Sequence, residues 1–190
     1  SPVSTYFEGP LRPVDMITSN SDRAAPHGTG DVKVGGNYAA SLYAQVAARE
    51  KGYADTIFLD PKTHTKIEEV GAANFFAITH EKAYITPKSP SILDSITNRT
   101  LRYIAKQMLS LDVQETDIDI DNLDHIEEAG ACGTAAVLTP IGSITHLEHV
   151  HTFKYNKEMG PITKELYRIV TGIQKGDVPD PSNWITILSV

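Results

Sequence analysis

The chain has 190 residues, with 17 Lys and Arg against 24 Asp and Glu, a net charge of −7. That length gives one domain or two small ones with a sizeable core, and so acidic a balance excludes the basic footprint that nucleic acid requires. No apolar run approaches the roughly 18 residues of a membrane helix, and the opening SPVSTYFEGP lacks the regions of a signal peptide. Cys132, the only cysteine, rules out an internal disulfide and makes a reducing, cytoplasmic setting the expectation.

Residues Ser1 to Gly30 are punctuated by proline and glycine and read as an entry loop containing a short strand, Val14–Thr18. The glycine-rich stretch GTGDVKVGGNYAAS leads into a helix from Ala39 to Lys51, with Leu42, Val46 and Ala47 on its apolar face and Gly52 as its stop. Thr56–Leu59, Asn74–Thr79 and Tyr84–Thr86 have strand patterns. The loop PKSPSILDS feeds a helix from Ile96 to Leu109, with Leu101, Ile104, Ala105 and Met108 at helical spacing. Val113–Ile118 alternates as a strand, and Asn122–Glu128 is a short helix candidate in an acidic stretch. Ala135–Leu138 and Ile144–Leu147 suggest a hairpin turning at Gly142–Ser143, and His149–Tyr155 a further strand. Pro161–Ile173 is the last helix, with Pro161 in its first turn. Strands and helices in this order predict an α+β fold.

Lys33 sits in the glycine-rich loop just before a helix, the arrangement that holds phosphates. The P-loop triplet Gly-Lys-Ser/Thr is absent, and a dinucleotide G-x-G-x-x-G starting at Gly28 fails because its last position is Lys33. The wider set is more telling. Lys33 supplies an amine, Tyr38 a phenol and the Glu68–Glu69 pair a carboxylate. SILDSIT and GACGTAAV add hydroxyl and backbone donors. Pyridoxal phosphate asks for these groups: an amine, an acid for the pyridine nitrogen, a donor for the phenolate oxygen and an anion cradle. His146, His149 and His151 read as a surface hairpin rather than a metal site, and DIDIDNLDHIEE as a solvated segment without a calcium-loop pattern.

Four spaced motifs carry a resemblance: DRAAPHGTGDVKVGGNYAAS, EEVGAANFF, SILDSIT and EAGACGTAAVLTPIG. With the tail TGIQKGDVPDPSNW they make the chain similar to the class IV, or fold-type IV, pyridoxal-phosphate aminotransferases, closest to the bacterial branched-chain type. The resemblance implies the large cofactor-binding domain of that fold over residues 31–190, preceded by an interdomain connection over 1–30. It implies amino-group transfer from leucine, isoleucine or valine to 2-oxoglutarate, with amino acids and 2-oxo acids as partners, in a homodimer. D-amino acid aminotransferase and aminodeoxychorismate lyase share the fold and compete as readings.

Residue by residue, the resemblance places Lys33 as the lysine that carries the cofactor as an imine, Tyr38 at the phenolate oxygen and Glu69 at the pyridine nitrogen, with Glu68 left as surface. Leu93 packs on a ring face, Ile96, Thr97 and Thr134 hold the phosphate, and Ala135 offers a backbone donor to the substrate carboxylate. Two departures stand out. Asp94 occupies a place where the family usually has proline, and Asn98 follows the Ile-Thr pair where a basic residue is common. The family's smaller N-terminal domain, which supplies an arginine to the phosphate, is not among these residues. The chain alone is therefore expected to be a weak cofactor binder without useful turnover.

Overall fold

A computed structural model describes residues 11–135 and 137–188, so residues 1–10 of the expected entry loop and Ala136 lie outside the described residues. The described elements are the strands β1 (Val14–Thr18), β2 (Asp55–Leu59), β3 (Ile67–Val70), β4 (Ala73–Thr79), β5 (Tyr84–Pro87), β6 (Val113–Thr116), β7 (Ile126–Gly133), β8 (Val137–His146) and β9 (His149–Thr152) and the helices α1 (Gly35–Glu50), α2 (Ile96–Tyr103) and α3 (Pro161–Lys175). A π-helical turn, Ile104–Met108, continues α2.

The sheet closes on itself. Its path runs β3-β2-β1-β8-β7-β4, and β4 pairs back to β3. β5 shares an edge of β4 with β3 and carries β6 beyond it, while β9 shares an edge of β8 with β7. β1 runs parallel to both its neighbours, β2 and β8, and β5 runs parallel to β6; the other pairs are antiparallel. Every ring strand sends residues to one core, among them Met16, Ile57, Val70, Phe75, Ala131 and Ile144. The opposite faces of β4, β7 and β8 give Phe76, Ile78, Cys132 and Leu138 to a second core with Leu101 of α2 and Leu166 and Val170 of α3. This two-sided burial of β4 is why its sequence, ANFFAIT, is a continuous apolar run rather than an alternating one.

Several expectations need correction. Asn122–Glu128 is not a helix: turns lead into β7 at Ile126. β7 is rich in Ala and Gly because its outer face is tightly covered; a Cβ at Gly130 would run into the Phe76 ring. The supposed hairpin turn at Gly142–Ser143 is the middle of one continuous strand, β8. Gly142 serves a close approach instead, since a Cβ there would lie 3.0 Å from the Asn156 carbonyl oxygen. The segment read as solvated buries Ile118, Ile120, Leu123 and Ile126. Finally, α1 packs with its small and polar face inward: Asn37, Ser41, Ala44, Gln45 and Ala48 are buried, and the Thr56 hydroxyl donates to the Ala44 carbonyl at 3.1 Å. Leu42 and Val46 are 58% and 53% exposed. Periodicity identifies an apolar stripe but not the side from which the helix is covered.

Candidate active site

The site begins with a bulge. Phe58 pairs with Glu69 and Leu59 with Ile67, so the register skips Glu68. A bulge re-aims side chains, and here Ile67 and Val70 enter the ring core while the two glutamates between them do not. Both glutamates are nonetheless buried, which corrects the reading of Glu68 as surface. The Ser89 hydroxyl donates to Glu68, and burial raises its carboxyl above the usual range.

Glu69 is held on several sides. The Leu93 N–H donates to its Oε1 at 2.9 Å. The Asn74 amide reaches the same oxygen at 3.4 Å and the Leu93 carbonyl at 2.9 Å. Arg23 Nε lies 3.1 Å from Oε2, an ion pair without hydrogen-bond alignment, since that Nε has no hydrogen-bond partner. Arg23 also donates to the Ser91 carbonyl and, at 3.4 Å, to that of Gly30. Burial pushes the Glu69 carboxyl up to about 7, against the lowering pull of Arg23, the Leu93 N–H and Lys33.

The Lys33 loop is fixed by Asn37 in the first turn of α1. Its amide donates to the carbonyls of Thr29 at 2.7 Å and Val32 at 2.9 Å, and the Thr29 hydroxyl donates to its Oδ1 at 3.1 Å. Gly30 has to be glycine, because a Cβ would meet the backbone of Ser91. Lys33 Nζ stands 5.9 Å from the centre of the Tyr38 ring. Lys33, Tyr38, Glu69, Asn74 and Leu93 line one narrow cleft of about 30 Å³.

A second cavity, of about 710 Å³, is lined by Ile96, Thr97, Gly133, Thr134 and Val137, with Trp184 at its wall. The two are neighbours: Asn74 of the cleft pairs with Cys132, and a Cβ on Gly133 would lie 3.8 Å from the Ala73 side chain. Thr134 and Ala135 form the exposed turn between β7 and β8. Val137, which ends that turn, has φ of 54°, a left-handed conformation that strains a β-branched residue. Asp94 pairs with Arg102 at 3.6 Å and, at 3.8 Å, with Arg99, which is itself part of the cavity lining. Cys132 is fully buried in the second core, where burial raises its thiol far above the usual range.

Arg23, Asn37 and Asn74 were not singled out in the sequence. All three lie inside the motifs DRAAPHGTGDVKVGGNYAAS and EEVGAANFF, and the signal for Arg23 was the need of any buried carboxylate for a partner. The histidines of HLEHVH go separate ways: His146 bonds the Thr18 hydroxyl at 2.9 Å, His149 is exposed, and His151 packs on Phe153.

A branched-chain-amino-acid aminotransferase of Haemophilus influenzae is 57% identical over 189 residues, covering 97% of this chain and 55% of that protein. The solved branched-chain amino acid aminotransferase of Escherichia coli superposes with a TM-score of 0.85 at 29% identity, covering 97% of this chain and 59% of the other. The branched-chain amino acid aminotransferase of Thermobaculum terrenum, solved in its PLP-form, gives a TM-score of 0.75 at 31% identity, covering 86% of this chain and 52% of the other. The chain thus spans about 55% of the length of the curated relative it matches. The model of amino-transferase class IV matches residues 3–144, from before β1 into β8. The bulged strand with its buried glutamate, the lysine loop and the strained turn all fall within that match, and the chain belongs to the amino-transferase class IV family.

Proposed function

We propose that the protein of which this chain is the cofactor-binding part moves the amino group of leucine, isoleucine or valine to 2-oxoglutarate, with pyridoxal phosphate as cofactor. The observation that carries the reading is Glu69: a buried carboxylate, paired with Arg23, in one cleft with the amine of Lys33 and the phenol of Tyr38. Arg23 alone does not bring the carboxyl back to the usual range, since it stays raised to about 7, so a further cationic group beside it would be stabilised. A protonated ring nitrogen is such a group. The donor set therefore suits the cofactor, and the names of the relatives give the substrate class.

In this reading Glu69 holds a proton at the ring nitrogen, and Tyr38 donates to the ring oxygen. Leu93 lies against a ring face. The N–H groups of Ile96 and Thr97 and the Thr134 hydroxyl receive the phosphate, and Ala135 offers its N–H to the substrate carboxylate. Bound there, the cofactor supplies an electron sink for the charge left when the substrate loses its Cα proton. Lys33, its amine freed when a substrate amine replaces it, would take the Cα proton as base and give it up again as acid. A homodimer and a cytoplasmic location belong to the same proposal, supported by the outward apolar stripe of α1, with Tyr43 and Leu42 exposed, and by the single buried cysteine.

The test follows glutamate formation in reverse and forward directions with leucine, isoleucine and valine, beside D-alanine. Turnover of the L-amino acids alone supports the branched-chain reading. Turnover of D-alanine alone assigns the site to the D-amino acid branch of the fold.

A further inference from the structure

The first turn of α2 is bolted to the sheet by a buried chain of hydrogen bonds. Asn98 is 8% exposed. Its Oδ1 accepts from the Tyr84 hydroxyl at 2.8 Å, and its Nδ2 donates to the Thr86 hydroxyl at 3.0 Å. That hydroxyl in turn donates to the Phe75 carbonyl at 2.7 Å. The chain thus runs from α2 through β5 to β4, the strand that also brings Asn74 to Glu69. Tyr84 is itself immobilised, fully buried with its ring stacked on Phe76 at 5.3 Å.

Asn98 is also the helix's third residue, and its own N–H is taken by Ser95 Oγ at 3.3 Å, while the Arg99 N–H bonds the Ser95 carbonyl. A helix start leaves its first N–H groups without intrahelical partners. Ile96 and Thr97, the first two residues of the helix, line the large cavity together with Thr134. Where α2 sits relative to the Thr134 turn decides whether these donors converge on one anion. Among the described residues, the Asn98 side chain joins that first turn to the strand pair by two buried hydrogen bonds.

We propose that Asn98 is a positioning residue for the phosphate cradle: anchored by Tyr84 and Thr86, it fixes the N–H groups of Ile96 and Thr97 at the distance from Thr134 that a phosphate requires. The inference rests on the reading that pyridoxal phosphate binds here with its phosphate at α2.

The test compares two ligands with the same ring, pyridoxal phosphate and pyridoxal, titrated by absorbance into the wild-type protein and into Asn98→Ala. The wild type is expected to prefer the phosphate ester strongly. Asn98→Ala is expected to lose roughly tenfold in affinity for pyridoxal phosphate and to leave pyridoxal unchanged, the scale of one weakened hydrogen bond to a charged group. An equal loss for both ligands, or none, overturns the proposal, because a general loss of structure does not distinguish them. If Asn98→Ala does not fold, Tyr84→Phe decides: it keeps the ring stack and removes one anchor, and an unaltered preference for the ester then overturns the proposal. A wild type with no preference for the ester refutes the underlying reading of the site instead.

Discussion

Arg23 and Glu69 meet 3.1 Å apart, each about 6% exposed, so the guanidinium is the only full positive charge in contact with the carboxylate among the described residues. Arg23→Gln removes the lowering influence on Glu69 and is expected to raise its carboxyl above the present value of about 7. Protonation then relieves the unpaired charge at low pH but not at high pH. The variant is therefore expected to lose more stability at pH 8 than at pH 5, by a margin on the order of 1–2 kcal/mol. Urea midpoints at the two pH values measure this. Equal losses would show that Arg23 acts only by tying Ser91 and Gly30 together.

Glu69 gives a pH dependence of its own. Its carboxyl is raised from 4.5 to about 7 in the folded protein, so the folded state holds the proton more tightly than the unfolded chain. The associated stability is fully present below pH 4.5 and lost as pH rises through 7. For the cofactor-free protein this amounts to an order of 3 kcal/mol across the window. Glu69→Gln is expected to flatten that stretch of the stability profile and, with cofactor present, to slow the proton-transfer half-reaction while affinity falls only modestly. A profile that keeps its slope in the variant assigns the titration to another group.

Lys33 is expected to be the attachment point. The cofactor-loaded protein should be yellow, and borohydride should leave the cofactor on the peptide containing Lys33. Lys33→Ala should lose both colour and label. Label recovered on Lys88 or Lys66 would sink the assignment.

Gly71 joins β3 to β4 with φ of 53°, and a Cβ there would overlap the Asp55 carboxylate. Gly71→Ala therefore combines a left-handed alanine with a steric clash, and a destabilisation of about 2 kcal/mol or more is expected in urea unfolding. Because this turn closes the ring beside Glu69 and Asn74, cofactor affinity should fall with it. A variant of unchanged stability would show that the β3–β4 turn relaxes freely.

The helix α3 has no side-chain cap of its own. Glu128 of β7 takes that role, accepting from the N–H groups of Ile162 at 3.1 Å and Thr163 at 2.7 Å. Glu128→Ala is expected to cost about 1–2 kcal/mol, the scale of a lost N-cap, with little change in chemistry at Lys33. Loss of cofactor binding at unchanged stability would contradict this structural assignment.

The helices α1, α2 and α3, the apolar strands and the motif positions were legible because their signals are local, whereas the face α1 buries and the false helix at Asn122–Glu128 were decided by packing. Pro161 and the stripe of Leu166, Ile169 and Val170 define α3 without reference to anything else. β3 was illegible: IEEV carries two acids, and it becomes a strand only because Arg23, Ser89 and the Leu93 N–H wait for them in the fold. β7 was hidden for the converse reason, since its small residues answer to Phe76 and to no propensity of their own. For the candidate site, the groups expected to touch a ligand could be read from motifs, but Arg23 and Asn98 reveal themselves only through partners on other elements, and Asn37 only through the fold of its own loop onto it.

The closure of the sheet has a consequence for how the chain comes to be folded. β1 sits between β2 and β8, with Val14 beside Ile141 and the Ser143 hydroxyl donating to Asp15 at 2.6 Å. Such a parallel pairing of distant segments must meet a large loop-closure entropy before any contact repays it, which makes folding slow. During synthesis β1 emerges well before β8 and keeps one edge unpaired until β8 leaves the ribosome. Through that interval the apolar strands β2 and β4 have no closed ring to shelter them, and their open edges are where mispairing between chains would start.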